Sequence, residues 1–190
     1  DAERAGAAPE TDAPTPLLAP AARSLVALGL ALSGFAALAF QIAWVRLFGL
    51  VLGSSVYSFA GVLGVYLTGL AIGSALAGRW IARLRSLGAL AVLQAALALT
   101  AALALWLFPL LPDQYLGIAK SVGGNWGSLF VSQLLMVAVV VLLPCLAMGA
   151  VFPVAVRFLQ SGGSADTVGG AYAVNTAGTI AGSLVAGYLL

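Results

Sequence analysis

The sequence predicts an all-α, polytopic membrane protein, a helical bundle with about five transmembrane helices. Of its 190 residues, 62% are hydrophobic and only 7% are charged, whereas soluble domains carry roughly 25% charged residues. The mean hydropathy is +1.09. The apolar residues are gathered into stretches of about 20, the length that crosses a hydrocarbon core of about 30 Å as a helix. The lipid bilayer is therefore the expected solvent of this chain and its first partner.

The first 22 residues differ from the rest of the chain. They are rich in Ala and Pro and contain four of the six acids. A segment of this composition buries too little apolar surface to fold, and it lacks the basic start and apolar centre of a signal peptide. We expect a disordered cytoplasmic tail over residues 1–22 and a transmembrane domain over residues 23–190.

Five apolar segments follow the tail, separated by polar or proline-containing residues. The expected transmembrane helices cover residues 24–44, 55–78, 87–108, 129–156 and 171–190. Between them we predict a short junction at 45–54, a polar loop at 113–127 and a Gly/Ser loop at 160–170. Pro144 and Pro153 should kink or break the fourth span, because proline removes an intrahelical hydrogen bond.

The basic residues indicate an orientation. With five alternating spans, one side of the membrane receives Arg4, Arg23, Arg79, Arg83, Arg85 and Arg157, and the other receives only Arg46 and Lys120. Lys and Arg collect on the cytoplasmic side of membrane proteins. The expected location is a bacterial cytoplasmic (inner) membrane, with the N-terminus in the cytoplasm.

The second and fifth spans share a pattern of small residues. Three glycines of the second span match three of the fifth at one constant offset: Gly69, Gly73 and Gly78 against Gly178, Gly182 and Gly187. Small residues spaced in this way are common where membrane helices pack closely, so these six are the expected helix-packing residues. The pattern also fits inverted three-helix repeats, as in half of a major-facilitator protein. In that case a sixth span would follow the fifth.

The composition leaves few residues for chemistry. Histidine is absent, Cys145 is the single cysteine, and no acid lies within an apolar segment. A membrane metal or haem site needs ligands of these types, and a proton relay places acids or His at mid-membrane. We therefore expect no metal, no cofactor and no catalytic residue in this chain. The net charge of +2 gives no reason to expect nucleic acid as a partner.

Six residues are candidates for polar or ligand contacts: Gln41, Trp44, Arg46, Tyr66, Tyr172 and Asn175. Arg46 has the chemistry to bind a helix C-terminus, a lipid phosphate or an anionic substrate, or to act as an interfacial anchor. Gln41 fits a hydrogen bond to a neighbouring helix better than a ligand contact. Tyr66 and Thr68 of the second span, with Tyr172 and Asn175 of the fifth, would either line a polar cavity or bond helices together.

Several short motifs occur in an order that resembles a known family. They are Ser33-Gly34-Phe35, Gln41-x-x-Trp44-x-Arg46, Gly53-Ser54-Ser55, Met148-Gly149-x-x-Phe152-Pro153 and Gly170-x-Tyr172-x-x-Asn175-Thr176. Over residues 24–190 the chain is similar to the membrane-bound spermidine synthase-like family, the fused major-facilitator/spermidine synthase proteins. The resemblance implies the N-terminal transmembrane domain of such a protein, and in a full-length relative a soluble aminopropyltransferase domain for polyamine biosynthesis would follow.

This sequence departs from the family pattern in two respects. Gln41 stands where the family often has Glu, and no transferase domain is present. We therefore expect a membrane anchor or scaffold without catalytic residues of its own. Two alternatives remain open at this point: an accessory, non-enzymatic subunit of a larger membrane complex, associated with other membrane subunits or with copies of itself, and a small-molecule transporter.

Overall fold

The structure, a computed structural model, describes residues 19–80, 87–122, 124–159 and 165–189. Nearly all of these residues are helical. The helices are α1 (Pro20–Leu52), α2 (Val56–Trp80), α3 (Leu87–Leu107), α4 (Leu111–Ser121), α5 (Trp126–Leu159) and α6 (Ala165–Leu189), and a 3₁₀ turn at Phe108–Leu110 joins α3 to α4.

Four helical segments among the described residues are long and apolar enough to cross a membrane. They are Pro20–Leu52, Val56–Trp80, Leu87–Ser121 and Trp126–Leu159. These segments place the chain among helical membrane proteins. The fifth predicted span corresponds to α6, which has 25 residues but is not in this set, because its Asn, Thr, Ser and Tyr residues make it less apolar.

The connection after α1 and the connection before α6 are both shorter than the sequence predicts. The predicted junction at 45–54 is largely helical, because the apolar residues after Arg46 extend α1 as far as Leu52. The helix ends at Gly53, whose φ of 86° is readily adopted only by glycine. At the other end of the bundle, α6 already begins at Ala165, within the predicted loop at 160–170. Residues 160–164 and the predicted tail before residue 19 lie outside the described residues.

The predicted polar loop at 113–127 is wrong, because most of it is the helix α4. Its apolar residues Leu111, Tyr115 and Ile118 recur at the spacing of one helix face, and all three pack against the core. Pro112 lies in the first turn of the helix, where a proline is tolerated since its missing N–H would have no partner there. Asp113 and Lys120 are exposed.

Helix α5 is continuous through both of its prolines, so the predicted break does not occur. Pro144 is fully buried, in a region where α5 packs against neighbouring helices. Membrane helices tolerate proline when neighbouring helices and local adjustments satisfy the freed carbonyl groups. At 34 residues and 1.5 Å per residue, α5 is about 51 Å long.

The helices associate mainly as two parallel pairs that join segments distant in sequence. Helix α2 packs along α5, and α1 packs along α6. Helix α3 packs on α5, whereas α1 with α2 and α5 with α6 are in contact only slightly. Two apolar clusters fill the interior. One surrounds Trp44, Tyr66 and Cys145, and the other surrounds Leu30 and Val154.

The two ends of the bundle differ in the residues that they expose. The end that holds the N-termini of α2 and α5 exposes Tyr57, Trp106, Trp126 and Tyr188, and we call it the aromatic end. The opposite end, which holds Arg23, Arg79 and Arg157 and also exposes Trp80, is the arginine end. Tyr and Trp are enriched where membrane proteins meet the lipid headgroups, so the aromatic end has the composition of a membrane interface.

Candidate functional site

The α2/α5 pair is held at close range by glycines on both helices. A Cβ added at Gly73 would clash with the backbone carbonyl of Leu146, and one at Gly149 would clash with the carbonyl of Leu70. Because the opposing atoms belong to the backbone, neither helix can yield by a side-chain rotation. Glycine allows backbones to approach where any side chain would hold them apart.

The α1/α6 pair uses glycines in the same way. A Cβ at Gly178 would clash with the carbonyl of Ala31, and one at Gly182 with the carbonyl of Phe35. On α1, Gly34 faces Asn175, whose Oδ1 would lie 2.8 Å from an added Cβ. The central contacts of both long pairs are therefore between backbones.

The contacts of the two pairs correspond position by position. Gly73 meets Leu146, and Gly182 meets Phe35. The two glycines are 109 positions apart in sequence, and their two partners are 111 positions apart. The contact of Gly69 with the carbonyl of Leu142 corresponds in the same way to the contact of Gly178 with Ala31. The two glycines are again 109 positions apart, and their partners are again 111 positions apart.

Two of the six glycines predicted for helix packing do not pack in this way. Gly78 and Gly187 have no atom within 4 Å of an added Cβ among the described residues. Each lies one residue beyond a buried alanine, Ala77 on α2 and Ala186 on α6, which continues the four-residue spacing of Gly69 and Gly73 and of Gly178 and Gly182. The packing face of each helix therefore continues through the alanine, and Gly78 and Gly187 lie beside that face.

Among the candidate polar residues, Arg46 and Tyr66 connect helices. The guanidinium of Arg46 donates to the carbonyl oxygen of Gly187 over 3.2 Å, in the last turn of α6, where the helix dipole favours a positive charge. The hydroxyl of Tyr66, which is 1% exposed, donates to the carbonyl oxygen of Ala37 on α1 over 2.7 Å. Both side chains therefore join elements of the bundle.

Trp44 lies inside the bundle, in a group of aromatic rings. Its ring centroid is 6.1 to 6.4 Å from those of Phe40, Phe48 and Phe108. Its Nε1–H has no hydrogen-bond partner among the described residues, and an unpaired buried donor of this kind costs about 1 to 3 kcal/mol. Trp44 is thus part of the packed core of the aromatic end.

The remaining candidates do not converge on a common cavity. Tyr172 is 64% exposed, and its ring is perpendicular to that of Phe152 with centroids 6.3 Å apart. Thr68 is exposed on α2, whereas Tyr66 lies in the core. The side chain of Gln41 is half-buried and makes no hydrogen bond within the described part of the chain. The predicted polar cavity between the second and fifth spans is therefore not formed by these residues.

Two glutamines that sequence reasoning did not single out join helices. Gln94 of α3 donates from Nε2 to the carbonyl oxygen of Gly29 on α1 over 3.2 Å. Gln133 of α5 donates to the hydroxyl of Tyr115 on α4 over 3.1 Å. A lone glutamine within an apolar run is the signal that would have identified Gln94.

The described residues offer little that resembles a catalytic centre. No group of three or more His, Cys, Asp or Glu side chains lies together among them. Cys145 is a free, buried thiol at the α2/α5 contact, where its Cβ would lie 2.5 Å from a Cβ added at Gly69. In this arrangement, the hydrogen-bonded polar side chains described above connect helices.

No family model matches the chain, and neither a curated protein nor a solved structure matches it at a significant level.

Proposed function

We propose that the chain is the transmembrane anchor and scaffold domain of a spermidine synthase-like membrane protein. The observation that supports this role most directly is the use of the polar side chains. Arg46, Tyr66, Gln94 and Gln133 each bond one element of the bundle to another. A transport pathway needs such groups to face a shared cavity, whereas a scaffold needs them between helices.

The proposed architecture is a set of inverted three-helix repeats that resembles an incomplete major-facilitator half. In this arrangement α1 corresponds to α5, and α2 corresponds to α6. It is supported by the paired contacts of Gly73 with Leu146 and of Gly182 with Phe35, which the two constant offsets relate. It is also supported by direction, since α2 and α6 run opposite ways between the two ends of the bundle.

We further propose that α6 is a fifth transmembrane helix and that the arginine end lies in the cytoplasm of a bacterial cell. Helix α6 packs along α1 over much of its length, so its less apolar composition is partly shielded from lipid. Tyr188, at its C-terminus, is exposed at the aromatic end, together with the exposed aromatic residues of α2, α3 and α5. The positive-inside rule favours a cytoplasmic position for Arg23, Arg79 and Arg157.

The test for activity is direct. Residues 1–190 are purified in detergent and supplied with putrescine and decarboxylated S-adenosylmethionine. We expect no product above a heat-killed control, because aminopropyl transfer needs a group that can deprotonate the attacking amine and the apolar spans contain no acid or His. Turnover above that control would overthrow the scaffold role.

A second measurement tests the family assignment. If the chain is the scaffold domain of a spermidine synthase-like protein, its gene should encode an aminopropyltransferase domain after this segment. A frame without such a domain, together with purification in a fixed ratio with other membrane proteins, would replace the proposal with the accessory-subunit role.

A further inference from the structure

An apolar groove runs along the surface between α2 and α5, with a volume of about 510 Å³. Ten residues line it: Ala60, Gly61, Gly64, Val65, Thr68, Ile72, Phe130, Leu134, Ala138 and Leu142. Only Thr68 among them carries a polar side-chain atom. The helix pair described above forms the walls of this groove.

The depth of the groove comes from residues with little or no side chain. Gly64 has no atom within 4 Å of an added Cβ, so the space above it is open. Gly61 lies one turn earlier, and a Cβ there would be 2.9 Å from the Cδ2 of Leu134, which forms the opposite wall. A larger residue at position 64 would therefore fill the groove without displacing the backbone of α5.

The length of the groove matches one leaflet of a bilayer. Ala60 and Ile72, at its two ends on α2, are 12 residues apart, or about 18 Å along a helix. Half of a hydrocarbon core of about 30 Å is about 15 Å. The groove begins near the aromatic end, where Trp126 stacks on Phe130 with ring centroids 5.3 Å apart, and it extends toward the middle of the bundle.

The groove opens to the outside of the bundle. Gly64, Thr68 and Ile72 in its wall are exposed. Because α2 and α5 are both long and apolar enough to span a membrane, this opening faces the hydrocarbon core, which is filled by lipid acyl chains.

A second groove, at the corresponding place between α1 and α6, differs in chemistry. It has a volume of about 450 Å³, and its lining includes Arg23, Ala27, Gly170 and Val174. Arg23 occupies the place that Leu134 has in the first groove, 111 positions later. An almost wholly apolar wall is thus a property of the α2/α5 groove and not of both grooves.

We propose that the α2/α5 groove binds one acyl chain of a phospholipid from the leaflet at the aromatic end, with its headgroup beside Tyr57 and Trp126. The ring of Tyr57 meets that of Trp126 edge-on at 5.3 Å, and aromatic side chains of this kind lie at the headgroup level of membranes. The binding rests on the position of α2 and α5 in the membrane and does not depend on the polyamine assignment. Because an acyl chain in a membrane is already out of water, it is stabilised in the groove by packing against the fixed wall and not by transfer from water.

The experiment counts lipids on the purified protein. Residues 1–190 are extracted in a mild detergent, supplied with phosphatidylethanolamine and phosphatidylglycerol, washed, and examined by native mass spectrometry. We expect one retained phospholipid on the unmodified protein and its loss in Gly64→Leu, which fills the groove. Thr68→Leu is a second groove variant for use if Gly64→Leu yields no folded protein.

Gly187→Leu is the matched control, because Gly187 is an equally open glycine outside the groove. This variant should retain the lipid. Equal retention in Gly64→Leu and Gly187→Leu, or no retained lipid on the unmodified protein, would overturn the proposal. So would a change from dimer to monomer in Gly64→Leu with the lipid still bound, since the groove would then be a contact between copies of the chain.

Discussion

Replacing Gly73 by Ala should separate α2 from α5. The added Cβ would lie 2.8 Å from the carbonyl carbon and 2.9 Å from the Cα of Leu146, with the carbonyl oxygen closer still. Carbon atoms in contact prefer about 3.5 to 4.0 Å. The two backbones must therefore move apart by roughly 0.7 Å or more, and since both helices are stiff, the contacts on either side of Gly73 are loosened as well.

The magnitude follows from the cost of overpacking. A radial gap of about 0.5 to 1 Å forfeits a quarter to a half of each contact's attraction, and inserting a methyl group into a packed interior costs about 1 to 3 kcal/mol. We expect the free energy of unfolding to fall by this amount. Gly64→Ala, on the same helix but in open space, should be neutral or should gain up to about 1 kcal/mol, because Ala favours helix more than Gly does.

Reversible unfolding in mixed micelles, titrated with sodium dodecyl sulfate and followed by circular dichroism, measures both variants against the unmodified protein. The comparison with Gly64→Ala removes the effect of helix propensity, which the two substitutions share. A Gly73→Ala protein that is as stable as Gly64→Ala would show that α2 and α5 do not meet at this point.

Four further outcomes are expected. Gly182→Ala should lose about 1 to 3 kcal/mol in the same titration, and Gly187→Ala should not; equal values would contradict the α1/α6 contact. Arg46→Met should lower stability by about 0.3 to 1 kcal/mol, through loss of the bond to α6; an unchanged titration midpoint would argue against that bond. Tyr66→Phe should cost about 0.5 to 1.5 kcal/mol, measured by thermal unfolding in detergent, and a stabilised variant would exclude the bond to α1. A cysteine at position 125, at the aromatic end, should react with an impermeant maleimide in intact cells; labelling only after permeabilisation would reverse the proposed orientation.

Composition and span length are enough to predict a helical membrane protein, because hydropathy over about 20 residues is set by the bilayer and hardly by tertiary contacts. They are less informative about the polar connections. The segment around α4 has a polar average, which hides the spacing of Leu111, Tyr115 and Ile118. The apolar residues that follow Arg46 extend α1 beyond the length that a bilayer requires, so the expected junction is helix.

The candidate site was harder to predict, for a geometric reason. The packing face of each helix continues at a spacing of four residues through Ala77 and Ala186, one residue before Gly78 and Gly187. The repeated glycine pattern alone does not distinguish these two glycines from Gly73 and Gly182. Nor does any local signal pair α2 with α5. Whether Tyr66 faces a cavity or a helix depends on that pairing, which only the assembled bundle determines.

The pairing has a consequence for how the protein is made. In sequence order, α1 precedes both helices of the α2/α5 pair and α6 follows both, so the α2/α5 pair is nested within the α1/α6 pair. While the chain is being inserted, α1 and α2 enter the membrane long before their main partners exist, and they touch each other far less than they touch those partners. Insertion and association are separable stages for membrane helices, so in this protein association waits for the second half of the chain. Until α6 arrives, the surface of α1 around Gly34 has no helix to cover it, and α6 completes the contacts of α1.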